Sequence, residues 1–414
     1  MSLRSLLGGL RIIEGSAFVA APLAGLNLAQ LGAEVIRFDD LGGGLDSQRW
    51  PLSDDGKSLF WAGLNRGKRS LELSIRSEEG QKIITELITA PGEDSGIFIT
   101  NFPASGWMSY DKLVQRRSDL IMVVLTGNFD GSSEVDYTVN PSFGFPYLTG
   151  PRESSEPVNS VMPVWDFILG TTAALAIVAA VNNRIRTGKG ELITISLSDI
   201  ALASVGAIGR LSRAYLGDQI VRDGNFLYGA FGHNFTCKDG REIMVVGLTT
   251  RQWHALLDAT SLADQISELS SKLGVSFEAE GQRFQYRNEI AQVFRKWFAE
   301  RNSSEVSALL REKKASWSFY QNLTEFLKDD VRASSRNPIF NIVDEPTIGT
   351  SLPNITSPIR TKLNPNLAPM NAPVLGEANY YVLSELLNYS DSEISRLQNL
   401  NVIPDPTTKK GSTP

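Results

Sequence analysis

Asp166 is the residue whose position in this sequence most suggests chemistry. It lies in the segment MPVWDFILG at 162–170, and small and apolar residues follow it up to position 180. Because proline is tolerated at the start of a helix but not inside it, Pro163 predicts that a helix begins directly after it. The helix dipole would favour an ionised carboxylate in this first turn, while apolar neighbours would leave it poorly solvated. Such a carboxylate is either a nucleophile or a helix-capping group, a common role for Asp.

Other reactive residues are scarce. Cys237 is the only cysteine, and the two histidines, His233 and His254, lie in different segments. These numbers provide no disulfide framework or cysteine metal cluster, and no spacing supports a metal site or a Ser-His-Asp triad. We therefore expect no metal and no permanently bound cofactor.

Composition indicates a soluble globular chain. The chain has 414 residues, which is long enough for two domains. It is 42% hydrophobic and 21% charged, values typical of a soluble globular protein. A net charge of −6 without a Lys/Arg-dense stripe argues against nucleic-acid binding. The apolar run after Asp166 is interrupted by glycine and threonine, so we interpret it as a buried core helix and expect no membrane partner. No signal-peptide hydrophobic region opens the sequence, and we expect a cytoplasmic protein.

The elements that would position Asp166 alternate between strand and helix. Residues 10–13, 22–31 and 34–39 predict a parallel strand-helix-strand unit, whose ligands would lie at the strand ends. The turn after the first strand, EGSAFVAAP at 14–22, lacks the GxGxxG dinucleotide fingerprint, so an NAD enzyme is the weaker interpretation. Further strands are predicted at 71–75, 96–100, 120–125, 191–196 and 242–246, and helices at 78–89, 199–216 and 381–398.

These elements predict an α/β fold. We expect a large Rossmann-like domain at 1–218, a smaller α+β domain at 219–335, and a C-terminal segment at 336–414 that returns to the large domain. The parallel sheet of the large domain would be formed by N- and C-terminal parts of the chain.

Five short segments, in this order, resemble motifs of the class III CoA-transferase family, which includes formyl-CoA transferase and the carnitine CoA-transferases. They are LGAEVIR at 31–37, LNRGKRS at 64–70, TNF at 100–102, RTGKG at 186–190 and APVLGE at 372–377. The family's catalytic aspartate opens a small-residue helix about twenty residues before the fourth motif, and Asp166 is that position here. The resemblance thus implies that Asp166 attacks an acyl-CoA thioester to form a mixed anhydride and then an aspartyl-CoA thioester. CoA thioesters and a small carboxylic acid would be its substrates, and the family's interlocked homodimer would be its assembly.

The resemblance also implies where ligands bind. Residues around the first strand-helix turn and the second and third motifs would contact CoA: Ala17, Phe18, Val19, Ala20, Asn65, Arg66, Lys68, Asn101 and Phe102. Residues in two later segments would bind the free carboxylate or form a lid over the site: Asp136, Tyr137, Asn140, Tyr228, Gly229 and Gly232. Asp40 stands where many relatives carry a cation or proline, so one phosphate contact of the family is in doubt. Packing, a solvated face or a surface turn remains the alternative for each set.

Several segments look closest to one branch of the family, the mesaconyl-CoA C1–C4 CoA transferases, which move CoA between the two carboxyl groups of one methyl-branched C4-dicarboxylate. The alternatives are an intermolecular transferase for another small acid, a 2-methylacyl-CoA racemase, and a CoA-ester binding protein without turnover. A racemase of this family carries a histidine where Val135 stands, so its two-base proton transfer would lack a partner here.

Overall fold

A parallel sheet organises the N-terminal part of the chain in the computed structural model, which describes residues 5–218, 221–362 and 367–405. The described residues contain these strands: β1 Arg11–Gly15, β2 Glu34–Asp39, β3 Arg69–Glu72, β4 Ile97–Thr100, β5 Ile121–Thr126, β6 Glu191–Ser196, β7 Phe231–Thr236, β8 Glu242–Gly247, β9 Ser316–Phe319, β10 Phe340–Glu345 and β11 Thr350–Ile355. The first six form one sheet in the order β3-β2-β1-β4-β5-β6, and every pair in it is parallel. The strand order reverses between β1 and β4, and ligands of open α/β sheets bind beyond the carboxyl ends at such a point.

The helices of the described residues flank these strands. In chain order they are α1 Ala20–Gln30, α2 Leu59–Leu64, α3 Glu78–Ile88, α4 Tyr110–Leu113, α5 Asp136–Ser142, α6 Phe145–Leu148, α7 Val164–Thr187, α8 Leu197–Ala207, α9 Arg210–Tyr215, α10 Thr250–Thr260, α11 Ala263–Leu273, α12 Glu280–Gln285, α13 Arg287–Ala299, α14 Ser303–Glu312, α15 Leu323–Asp329 and α16 Asp391–Asn399. Short 3-10 turns at Gly106–Met108 and Val331–Ala333 and a π-helix at Tyr381–Leu386 complete them. The helix predicted at 199–216 is interrupted by Gly209, whose φ of +73° ends a regular helix.

Two compact units share these elements. The large unit comprises 1–143, 160–209 and 331–414, and the small unit comprises 144–159 and 210–330. The sequence assigned all of 1–218 to the large domain and 219–335 to the small one, whereas the structure assigns 144–159 and 210–218 to the small unit and 331–335 to the large unit. Arg222 ties that segment to the small unit, because its buried guanidinium donates to the carbonyls of Pro146 and Glu156 at 3.2 and 2.8 Å.

The C-terminal part belongs to the large unit, as predicted, but it adds no strand to the six-stranded sheet. All six strands lie between residues 11 and 196, while β10 and β11 pair only with each other among the described residues. The π-helix and α16 instead bury Val382, Leu383 and Leu397 against the apolar core beside the sheet. The C-terminal part therefore covers the sheet with helices instead of extending it.

The small unit has an antiparallel sheet, β7-β8-β9, with helices packed on it. Its core is aromatic, and the Phe235 and Phe298 rings stack with centroids 4.6 Å apart. Burial raises the pKa of the Cys237 thiol in this unit to about 11, so the thiol stays protonated and poorly nucleophilic at neutral pH.

Helix α7 differs from the buried core helix that the sequence predicted. Trp165, Leu169 and Ile177 on one face are buried, but Leu175 and Ile185 are 68% and 79% exposed. Among the described residues α7 is the one helix whose length and apolar composition suit a membrane crossing. A single helix of this kind is weak evidence, because the core helix of a globular protein meets the same criterion.

Candidate active site

The start of α7 determines the position of Asp166. The helix begins at Val164, directly after Pro163, so the predicted start is confirmed and Asp166 is its third residue. One turn later the chain has Gly170, where an added Cβ would lie 2.5 Å from the carbonyl oxygen of Ala20. Only glycine permits this approach, so the α7 backbone packs directly on the start of α1. This contact brings the Asp166 turn of α7 close to the turn between β1 and α1.

A second carboxylate caps α7 from outside the helix. Asp136 Oδ2, on α5, accepts hydrogen bonds from the backbone N–H groups of Trp165 at 2.7 Å and Asp166 at 3.1 Å. The Trp165 indole N–H donates to Asn140 Oδ1 at 3.2 Å. A helix start leaves its first N–H groups without partners, and Asp136 satisfies two of them. The sequence assigned Asp136 and Asn140 to the substrate's carboxylate, whereas the structure uses both groups to hold α7.

The surroundings of Asp166 favour its protonated form. Burial raises the pKa of Asp166 to about 7, the negative charge of Asp136 adds to this shift, and Arg49 opposes it. The pKa of Asp136 is also raised by burial, against the two backbone hydrogen bonds that favour its ionised form. Asp166 is therefore a poorly solvated, unusually basic carboxylate that is substantially ionised at neutral pH. Those properties suit a nucleophile better than a simple cap.

The turn between β1 and α1 adopts a conformation that requires support. Phe18 has a φ of +65°, in the left-handed region that non-glycine residues rarely occupy, and its N–H donates to Asp46 Oδ1 at 2.7 Å. Asn101, at the end of β4, exchanges two hydrogen bonds with the backbone of Ala17, at 2.9 and 2.7 Å. Val19 and Ala20 are buried where α1 begins. Four of the predicted CoA contacts, Ala17, Phe18, Val19 and Ala20, thus lie in one braced turn, and Asn101 is one of its braces.

Lys68 is not available to a CoA phosphate. Its side chain is fully buried, and Nζ donates to Glu14 Oε1 at 2.8 Å, the Pro22 carbonyl at 2.8 Å and Asn65 Oδ1 at 3.0 Å. A lysine ammonium has three N–H donors, and all three are used. The structure therefore removes Lys68 from the predicted phosphate contacts. Asn65 is equally buried, and its amide serves Lys68, Arg37 and the Trp61 carbonyl.

The ion pairs around Lys68 extend to the Phe18 turn. Arg37 is 1% exposed and donates to Asp39, to Asp46 Oδ2 at 3.0 Å and to the Ser16 carbonyl at 3.1 Å. Buried charges are tolerated when they are paired and hydrogen-bonded, as here. Sequence analysis missed this network, although Glu14 and Arg37 within buried strands were a signal, because charges at such positions need partners.

The remaining residues predicted to contact CoA have other partners in the described structure. Arg66 is half-buried and donates to the Pro353 carbonyl at 3.0 Å. Phe102 packs edge-on against Phe38, with ring centroids 6.4 Å apart. The CoA contacts of Arg66 and Phe102 remain a prediction. Asp40, which puts one phosphate contact of the family in doubt, lies 3.8 Å from exposed Arg76.

The predicted lid residues belong to the small unit. Exposed Tyr228 packs its ring 3.9 Å below the Arg210 guanidinium, and Gly229 has a φ of +81°. Gly232 lies within β7 rather than in a loop. Tyr137, in the large unit, donates to the Val161 carbonyl at 3.3 Å. The lid role stays a prediction, as does the contact of Tyr137 with substrate.

Arg49 is the residue near Asp166 that sequence analysis did not identify. Its guanidinium lies over the Phe18 and Phe60 rings, 5.2 Å from each centroid, and its charge lowers the pKa of Asp166. Arg49 lies in the loop between β2 and α2, and no local sequence pattern distinguishes it from the other residues of that loop. In the described parts of the chain, no three His, Cys, Asp or Glu side chains are arranged to hold a metal ion.

Residues 7–379 match the model of CoA-transferase family III. The chain belongs to this family. It is 48% identical over 407 residues to a 2-methylfumaryl-CoA isomerase of Chloroflexus aurantiacus, covering 98% of this chain and 99% of that protein. It is 27% identical to a succinyl-CoA:mesaconate CoA-transferase of Haloarcula hispanica, covering 92% and 96%. A solved CAIB/BAIF family protein from Brucella suis has the same fold, with a TM-score of 0.74, 21% identity, and coverage of 92% and 99%. The protein is therefore an enzyme of the class III CoA-transferase type, and its substrates are CoA thioesters.

Asp136→Asn tests the relation between the two carboxylates. Asparagine still caps a helix, but it removes the negative charge that helps to raise the pKa of Asp166. We expect the acidic limb of the kcat/KM profile to move to lower pH in this variant, with the fold retained. An unchanged acidic limb would contradict this relation; Ser142→Ala, on the same helix α5, is the matched control.

Proposed function

We propose that this enzyme moves CoA from one carboxyl group of 2-methylfumaryl-CoA to the other, with Asp166 as the covalent carrier. The observation that carries the proposal is Asp166 itself, a poorly solvated carboxylate in the first turn of α7 with its pKa raised to about 7. The 48% identity to a protein named 2-methylfumaryl-CoA isomerase supports the choice of substrate.

The first half of the reaction frees the diacid. An Asp166 carboxylate oxygen attacks the thioester carbonyl, the C–S bond breaks, and CoA leaves as a thiolate with the bonding electron pair. The product is a mixed anhydride of Asp166 and the acyl group. The thiolate then attacks the Asp166 carbonyl carbon, which expels the diacid as a dicarboxylate and leaves an aspartyl-CoA thioester.

The second half reverses these steps at the other end of the diacid. The second carboxylate attacks the aspartyl-CoA carbonyl and expels the thiolate, giving a new anhydride. Thiolate attack on the acyl carbonyl forms the isomeric thioester and restores the Asp166 carboxylate. No proton or electron is gained or lost, so the cycle needs no general base and no permanently bound cofactor.

We extend the proposal to a homodimer. Exposed apolar side chains on α7, on α8 and directly after α8 support burial of this surface against a second copy; they include Leu175, Ile185, Leu202 and Ile208. Light scattering during gel filtration should give twice the chain mass, and a monomer at micromolar concentration would contradict this part. The expected cytoplasmic location and the absence of nucleic-acid and membrane partners rest on sequence alone.

The reaction is tested with 2-methylfumaryl-CoA carrying ¹³C in the thioester carbonyl. The proposal expects the labelled carbon to become a carboxylate by NMR, without free acid accumulating. Excess deuterated 2-methylfumarate in the same tube separates the intramolecular route from an intermolecular one. Deuterium in the thioester would indicate an external acceptor, and absence of the isomer would remove the substrate assignment.

A further inference from the structure

The guanidinium of Arg49 is placed to receive an anion. It is exposed, lies over two aromatic rings and forms no ion pair with any carboxylate in the described residues. Its charge acts on Asp166, but the two side chains are too far apart for an ion pair. Stacking on Phe18 and Phe60 restricts the side chain while the edge of the guanidinium keeps its hydrogen-bond donors.

A diacid presents this site with an electrostatic problem. Before Asp166 attacks the thioester, the other end of the substrate is a free carboxylate near two negative residues, Asp166 and Asp136. Asp136 and Asn140 cannot bind it through the oxygens they already use on α7. A cation near Asp166 without an internal partner is therefore the group that the substrate needs.

We propose that Arg49 binds the carboxylate of the dicarboxylic acid that is not reacting at Asp166, and so determines selectivity for dicarboxylic over monocarboxylic acyl groups. This inference rests on the proposed function. Arginine suits the task, because its planar fork gives a carboxylate two parallel hydrogen bonds. The same contact serves both halves of the reaction. In the first half Arg49 binds one carboxylate of the diacid while the other end reacts at Asp166, and in the second half the two ends exchange these positions.

The test compares two thioesters in a single half-reaction. Exchange of isotopically labelled free CoA into the thioester reports attack by Asp166 and its reversal, and it needs no second carboxyl group. The substrates are 2-methylfumaryl-CoA and (E)-2-methylbut-2-enoyl-CoA, in which a methyl group replaces the free carboxylate. The wild-type enzyme should exchange the dicarboxylic thioester faster, and in Arg49→Gln this preference should fall by about 10- to 100-fold, as expected for a lost charged hydrogen bond.

Arg49→Lys keeps the charge without the bidentate fork, so it should recover part of the preference. Thermal melting checks that both variants fold. If Arg49→Gln keeps the wild-type preference, or loses exchange equally for both thioesters, the inference is wrong. If wild type gives no C4 isomer but Arg49→Gln still loses the preference, the proposed function fails while carboxylate binding by Arg49 stands.

Discussion

Replacing Asp166 with asparagine is expected to lower CoA transfer by roughly 1,000-fold or more, because an amide cannot form the anhydride. Steady-state rates of C1-to-C4 conversion measure the loss. Hydroxylamine trapping gives a second measurement: wild type should yield a hydroxamate at Asp166 during turnover, and the variant should yield none.

The same variant should be more stable than wild type in alkaline solution. Asp166 binds its proton more tightly in the folded chain than in the unfolded chain, so its contribution to stability falls as pH rises from about 4 to about 7. Asparagine cannot ionise and does not carry this cost. We expect a gain of about 1–3 kcal/mol in the free energy of unfolding at pH 8 and little gain at pH 4.

Asp199→Asn is the matched control, since Asp199 is an exposed acidic residue in the first turn of α8. It should change neither rate nor stability appreciably. Retained activity in Asp166→Asn would show that the Asp166 carboxylate is not the nucleophile.

Lys68→Met should destabilise the large unit by about 3 kcal/mol, because it removes the ammonium 2.8 Å from the buried Glu14 carboxylate and leaves that carboxylate only Arg37 Nη1, 3.8 Å away, and the Ser16 hydroxyl. Glu14 Oε2 already lies buried without a hydrogen-bond partner, beneath Gly25, where an added Cβ would come within 1.7 Å of it. Urea denaturation measures the effect.

Lys82→Met is the control, because the Lys82 side chain is 63% exposed and pairs weakly within α3.

The outcome for Lys68→Met also separates two roles of Lys68, the structural ion pair and phosphate binding. If Lys68 bound a CoA phosphate, Lys68→Met would raise the KM for the CoA thioester and leave the stability near that of wild type. That result would restore Lys68 to the CoA site.

Local signals in the sequence were sufficient to predict several strands of the sheet and the start of α7. Strands β2 and β6 have the predicted bounds, and α7 begins directly after Pro163, because apolar runs and a helix-starting proline act within a few residues. Position along the chain and family resemblance were also sufficient to single out Asp166. The burial that raises its pKa agrees with that choice, although its covalent role remains a prediction.

The partners of Asp166 were beyond the reach of sequence reasoning. Asp136 lies 30 residues before Asp166, and its carboxylate could be assigned to α7 only once α5 was placed against that helix. Lys68 was misassigned because a cluster of cations looks the same in sequence whether its members face solvent or an internal carboxylate. Arg49 was missed because its neighbours, Phe18 and Phe60, come from separate segments that only the tertiary structure joins.

Gly170 has a consequence for how this enzyme can diverge. Since the main chain of α7 meets the Ala20 carbonyl oxygen at Gly170, the spacing between Asp166 and the Phe18 turn is set largely by backbone contact, with the Leu23 side chain beside it. New acyl groups can therefore be accommodated through substitutions at an exposed position such as 49 while Asp166 stays in place. A laboratory selection for altered acid preference should yield many different residues at position 49 and almost none other than glycine at position 170.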